Sequence, residues 1–272
     1  LGVDYGAGYL AGIESIDLGS GYDMIQLTSG VDHLDFSAIS VSGVELIDAG
    51  AGNDAVVGSA GNDLIRGNSG DDMLAGGDGN DTFTIVGNLD GFDVFNGGSG
   101  TDRIAGSDWN DTLHLANVAD NLTGIEAIEL GGGHDRIMLS SQGDHLDLSG
   151  MSVSGVELID AGSGNDTVIG STGNDVIRGN AGDDVIFGGD GNDTFTILGN
   201  PEGFDVFNGG AGTDQIVGSG WSDTLSLANV AGNLAGIEVI DLGGDYDKIS
   251  LTSGSDHLDL SSISVRGVEL ID

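Results

Sequence analysis

The sequence predicts an all-β solenoid of short strands rather than a helical or globular domain. Three observations lead there. A nine-residue unit recurs in tandem, an acid followed two places later by a large apolar residue runs along the chain, and 52 glycines in 272 residues leave no long helical pattern. Glycine costs a helix interior about 1 kcal/mol relative to alanine. A short strand needs only alternation with one buried face.

The unit is clearest from Gly58 to Thr84: G-S-A-G-N-D-L-I-R, G-N-S-G-D-D-M-L-A, G-G-D-G-N-D-T-F-T. Asp63, Asp72 and Asp81 fall nine apart, followed by Leu64-Ile65, Met73-Leu74 and Thr82-Phe83. The passage returns from Gly170 as G-S-T-G-N-D-V-I-R, G-N-A-G-D-D-V-I-F, G-G-D-G-N-D-T-F-T, with Asp175, Asp184 and Asp193. Each unit has a glycine-rich half that can turn tightly and aim carbonyl oxygens inward, then a short extended half. An acid stands at each junction beside bare carbonyls. Hard, all-oxygen ligation of this kind suits Ca²⁺.

These units resemble the glycine- and aspartate-rich nonapeptide of the RTX (repeats-in-toxin) family. The resemblance implies a right-handed parallel β-roll, two nonapeptides to a turn, with calcium rows at the corners between loops one turn apart. It also implies an extracellular or cell-surface home reached by type I secretion. The spacing alone shows only a nine-residue unit with an acid and an apolar anchor.

A longer period contains the shorter one. G-V-E-L-I-D occurs at 43–48, 155–160 and 267–272, and Asp54 and Asp166 stand 112 residues apart. Residues 1–48 read as a partial copy, 49–160 and 161–272 as full copies, and the whole as one continuous solenoid. Both ends read as cuts through a longer array. The apolar residue two after each acid, from Ile16 and Ile25 through Ile104 and Leu113 to Ile271, is expected to form one inner ladder. The acids are nine apart except at three steps per copy: Asp32 to Glu45, Asp81 to Asp93 and Asp111 to Glu126. Such extras are expected to bulge as corner loops. The longest step alternatively holds an additional half-turn, which leaves open whether eleven or twelve half-turns make a copy.

Candidate calcium ligands follow from the glycine frame. Asp63, Asp72, Asp81, Asp175, Asp184 and Asp193 have it most fully, and Asp54, Asp102, Asp166 and Asp214 nearly so. Asp93 and Asp205 follow longer loops that depart from the motif. Asp111 and Asp223 have Trp109 and Trp221 near the usual fourth glycine. Glu14 and Glu45 stand in G-I-E and G-V-E, where β-branched residues replace the flexible ones. Each copy is therefore expected to alternate a calcium-rich stretch (about 50–111 and 162–223) with a calcium-poor one (about 113–160 and 225–272).

Composition bounds the function. A formal net charge of −39, with 6 basic against 45 acidic residues, leaves no basic patch for nucleic acid. About ten bound Ca²⁺ would cancel roughly half of it. No cysteine is present, so thiolate metal sites and a Cys nucleophile are excluded. No apolar run reaches membrane-spanning length, and no secretory signal peptide opens the chain. His33, His145 and His257 recur once per copy, too far apart to share an ion. Neither H-E-x-x-H nor G-x-S-x-G occurs, so the chain reads as non-catalytic. The expected function is a calcium-binding structural region of a large secreted or surface protein, with calcium ions and neighbouring repeats, end to end, as partners. Three other readings stay open. One is an adhesive or glycan-binding module using loops 86–92 and 198–204 or the Trp pair. The others are a surface-layer or filament subunit and an accessory domain of a secreted hydrolase or epimerase.

Overall fold

The computed structural model describes residues 12–88, 91–116, 121–200, 203–252 and 258–272. It is all-β, without helix among the described residues, and its parallel strands stack as a β-solenoid. Two compact units are distinguished, Leu1–Asp135 and Arg136–Asp272.

In the first unit two ladders climb side by side. One stacks Met24–Gln26, Leu46–Asp48, Leu64–Arg66, Thr82–Thr84, Arg103–Ala105 and Ala127–Glu129. Its register places Ile25, Ile47, Ile65, Phe83, Ile104 and Ile128 directly over one another. The other stacks His33–Asp35, Ala55–Val57, Met73–Asp78, Val94–Ser99 and Leu122–Thr123, aligning Leu34, Val56, Leu74, Phe95 and Leu122. These anchors are all buried. Phe83 and Phe95 meet edge to face across the core, centroids 5.4 Å apart, a geometry aromatic rings favour.

The second unit repeats the device. Ile137, Ile159, Ile177, Phe195, Ile216 and Ile240 form one column. Leu146, Val168, Ile186 and Phe207 form another. A third begins at Thr224–Leu227 and aligns Leu225, Ile249 and Ile271. The inner ladder expected from the sequence is thus present along both units. Replacing one of its rungs should be costly: Ile104→Ala, at a fully buried position, is expected to lose about 2–5 kcal/mol, read as a lower denaturant midpoint.

The irregular steps depart from expectation. Two of the three carry a strand, not a bulged loop. The step after Asp32 contains Ser40–Ser42, paired with Ser15–Asp17. The step after Asp111 contains Leu122–Thr123, paired with the Phe95 strand, which fits the alternative of an additional strand segment in this longest step. Its counterpart in the second unit makes a single bridge, Asn208 to Ala235. Turns there hold three strands instead of two, so a count of half-turns does not describe a copy. Accordingly, paired residues lie 18 apart between Ile47 and Ile65, 21 between Phe83 and Ile104, and 27 between Phe95 and Leu122. Loops 86–92 and 198–204 each include residues outside the described set, as do Asp256 and His257. His33 and His145 lie exposed on their strands. Arg66, Arg103, Arg178 and Arg266 pair with Asp48, Glu129, Asp160 and Asp241 at 3.6–4.0 Å. The exposed pairs, Arg103–Glu129 and Arg266–Asp241, are of small value, whereas Arg66–Asp48 and Arg178–Asp160 are largely covered.

Candidate metal centres

Each strand ends a glycine turn with an acid, and stacking brings these acids into columns. In every column the backbone N–H of one acid donates to a carboxylate oxygen of the acid one turn on, Oδ1 of an Asp or Oε2 of a Glu. Asp32, Asp54, Asp72 and Asp93 are linked this way at 2.7, 2.8 and 3.0 Å. Asp63, Asp81, Asp102 and Glu126 form the second column, at 2.8, 2.7 and 2.7 Å. The second unit repeats both, through Asp144, Asp166, Asp184 and Asp205 and through Asp175, Asp193, Asp214 and Glu238. The turns that hold a third strand have acids of their own. Asp111 accepts from Gly87 and donates to Asp135, while Asp223 accepts from Gly199 and donates to Asp247.

One oxygen of every acid but the first in each column is thereby used, Asp32 keeping a buried Oδ1 without a partner, and Oδ2 separates the acids into two groups. Oδ2 of Asp54, Asp72, Asp81, Asp102, Asp166, Asp184, Asp193 and Asp214 is buried without a hydrogen-bond partner. A bare carboxylate oxygen in that position costs free energy unless something meets it. Asp63, Asp111, Asp175 and Asp223 differ. Their Oδ2 accepts the backbone N–H and the hydroxyl of Ser59, Ser107, Ser171 and Ser219 respectively.

At six of the open acids the space before Oδ2 is shaped by glycine. A Cβ added to Gly67, Gly76, Gly97, Gly179, Gly188 or Gly209 would strike the Oδ2 of Asp72, Asp81, Asp102, Asp184, Asp193 or Asp214. At Gly76 and Gly97 it would also strike the carbonyl oxygen of Gly97 and Gly124, one turn on. Carboxylate and carbonyl oxygens therefore converge where a side chain would otherwise stand. Ala49 and Ala161 take the glycine's place before Asp54 and Asp166. Among the described residues no three His, Cys, Asp or Glu side chains cluster. An ion at these corners would draw most of its oxygens from the backbone, which suits the six to eight hard ligands of Ca²⁺.

Electrostatics agree with an unmet negative charge. Burial, reinforced by the neighbouring acids, pushes Asp72, Asp81, Asp184 and Asp193 up to about 6 and Asp93, Asp166 and Asp205 up to about 7. Burial also raises Asp54, Asp63, Asp175 and Asp214. Filling one cradle gives a direct check. Gly76→Ala is expected to cost about 1–3 kcal/mol by overpacking and to weaken ion binding. Gly61→Ala, whose Cβ would meet only the Ser59 hydroxyl at 3.5 Å, should be nearly silent in the same calcium-dependent melts.

The profile of the RTX calcium-binding nonapeptide repeat matches the chain in four copies, at residues 48–83, 89–122, 160–195 and 202–225. The chain carries RTX calcium-binding repeats. None of the curated proteins compared with it matches. The RTX copies contain all the sequence-predicted acids and leave 1–47, 84–88, 123–159, 196–201 and 226–272 uncovered. In those stretches Glu126 and Glu238 keep only the column hydrogen bond. The structure adds buried acids that the RTX frame does not single out: Asp32, Asp135, Asp144 and Asp247. Nine-residue spacing from a neighbouring acid was the available signal, and the lack of a full glycine frame hid it. Trp109 and Trp221, each 76% exposed, sit on turns held by Ser107 and Ser219.

Proposed function

We propose that this chain is a calcium-binding structural region of a large secreted or cell-surface bacterial protein, folding when it meets extracellular calcium. The row of buried, unpartnered Oδ2 atoms facing glycine cradles carries the reading. The residues that would hold the ions are Asp54, Asp72, Asp81, Asp102, Asp166, Asp184, Asp193 and Asp214, together with glycine carbonyls. Bound there, calcium supplies positive charge and satisfies oxygens from two successive turns. The chain's own part is to stack those turns in register on the Ile and Phe ladders and to exclude water from the carboxylates. The same scaffold repeats its acids without marking out any pair, which supports a non-catalytic role. RTX repeats are typically found in secreted proteins, and that supports the extracellular assignment.

Circular dichroism during a calcium titration tests the proposal. A cooperative gain of strand signal in the range of about 0.1–1 mM, typical of extracellular calcium modules, is the expected result, with magnesium ineffective at equal concentration. Full strand content in excess EGTA would refute it. A second reading rests on Trp109 and Trp221, whose exposure suits stacking against a sugar ring. Binding on a glycan array, lost in the double Trp→Ala variant, would support that adhesive role.

A further inference from the structure

The RTX pattern treats the acids of successive units as equivalent. The side-chain geometry does not. What separates open from closed acids is the residue four places before each one.

Before Asp72, Asp81 and Asp102 that residue is Asn68, Gly77 or Gly98, with φ of 70°, 111° and 97°. Before Asp184, Asp193 and Asp214 it is Asn180, Gly189 or Gly210, with φ of 68°, 111° and 97°. This left-handed backbone is open to glycine and tolerated by asparagine. In all six cases Oδ2 of the acid that follows has no hydrogen-bond partner. Where the same place holds Ser or Thr, φ is not positive, and Oδ2 accepts both the N–H and the hydroxyl. This holds for Thr28 with Asp32, Ser59 with Asp63, Ser107 with Asp111, Ser140 with Asp144, Ser171 with Asp175 and Ser219 with Asp223.

Granting the calcium role proposed above, we infer that this residue selects which acids take an ion. Gly or Asn leaves the carboxylate open for calcium. Ser or Thr latches it, and the latched acid becomes a metal-independent peg. A latched Oδ2 already has two donors, so an ion must displace both to gain it, whereas an open Oδ2 loses nothing on ligation. Asp63 and Asp175, despite a nearly complete RTX frame, are then pegs. Asp72, Asp81 and Asp102, with their three counterparts, are ion sites, as are Asp54 and Asp166, which follow Gly50 and Gly162 at positive φ. The same assignment makes Asp111 and Asp223 pegs, so the turns carrying Trp109 and Trp221 hold their shape without metal.

Native mass spectrometry at saturating calcium, supported by calorimetry, counts the ions on the full 272-residue chain. Asp72→Asn and Asn68→Ser should each lower the count by at least one. Asp63→Asn should leave it unchanged. Ser59→Gly should raise it by one, by freeing Asp63. A loss from Asp63→Asn equal to that from Asp72→Asn, or no gain from Ser59→Gly, would overturn the assignment while leaving calcium binding intact. Ser59→Gly keeps the test decisive should Asp63→Asn not fold. A wild-type chain that retains no ions would instead remove the calcium reading itself.

Discussion

Chelation with EGTA at neutral pH should abolish the strand signal, and millimolar calcium should restore it. Ions that bind only the stacked turns stabilise by mass action, about 1.4 kcal/mol per independent site at ten times Kd. Six sites alone, at the open and glycine-cradled Asp72, Asp81, Asp102, Asp184, Asp193 and Asp214, then supply roughly 8 kcal/mol. That is comparable with the whole stability of an ordinary domain, about 5–15 kcal/mol. Against it stand the repulsion of a −39 chain and the entropy of ordering its many glycines. The outcome is read as loss of ellipticity and an expanded hydrodynamic radius in EGTA. A radius unchanged by chelation would mean that the apolar ladders suffice alone.

The second large effect is a reversal in the response to acid. Burial raises Asp72, Asp81, Asp184 and Asp193 to about 6, and Asp93, Asp166 and Asp205 to about 7. Unfolded, these groups return to the ordinary aspartate value near 3.9. Between about pH 4 and 7 the folded chain therefore holds protons that the unfolded chain has released. Linkage gives the sign: the stability of the metal-free fold falls as pH rises through that window and is recovered on acidification. Calcium inverts the trend, because protons compete with ions for the same oxygens. From pH 4.5 to 8 the strand content of the metal-free chain should then fall with pH, while the melting temperature in calcium should rise with pH. Parallel trends with and without calcium would contradict competition at these carboxylates.

Much of the fold is legible in the residues. Ile104 and its column declare themselves because an apolar side chain must follow each acid at a fixed offset for the turns to register. The short strands Ser40–Ser42 and Leu122–Thr123 escape that reading for a physical reason. Each supplies little apolar surface, carries no acid and lacks the glycine frame, so neighbours one turn away, not local pattern, draw it into a sheet. The candidate site is legible to the same depth. Asp72 and Asp81 follow from the motif. The division between Asp63 and Asp72 does not, because Ser59 and Asn68 are both small polar residues in one place of the unit. Only the backbone conformation each adopts shows that one grips its acid and the other releases it.

The modest sequence reach of the strand pairings, 27 residues at most among the described residues, as between Phe95 and Leu122, has a kinetic consequence. Loop closure is cheap at that separation, and low contact order favours rapid ordering. Structure can start at any rung and advance as a front, each new turn templated by the last. A chain threading through a narrow opening could thus zip up from its leading end before its trailing end has emerged.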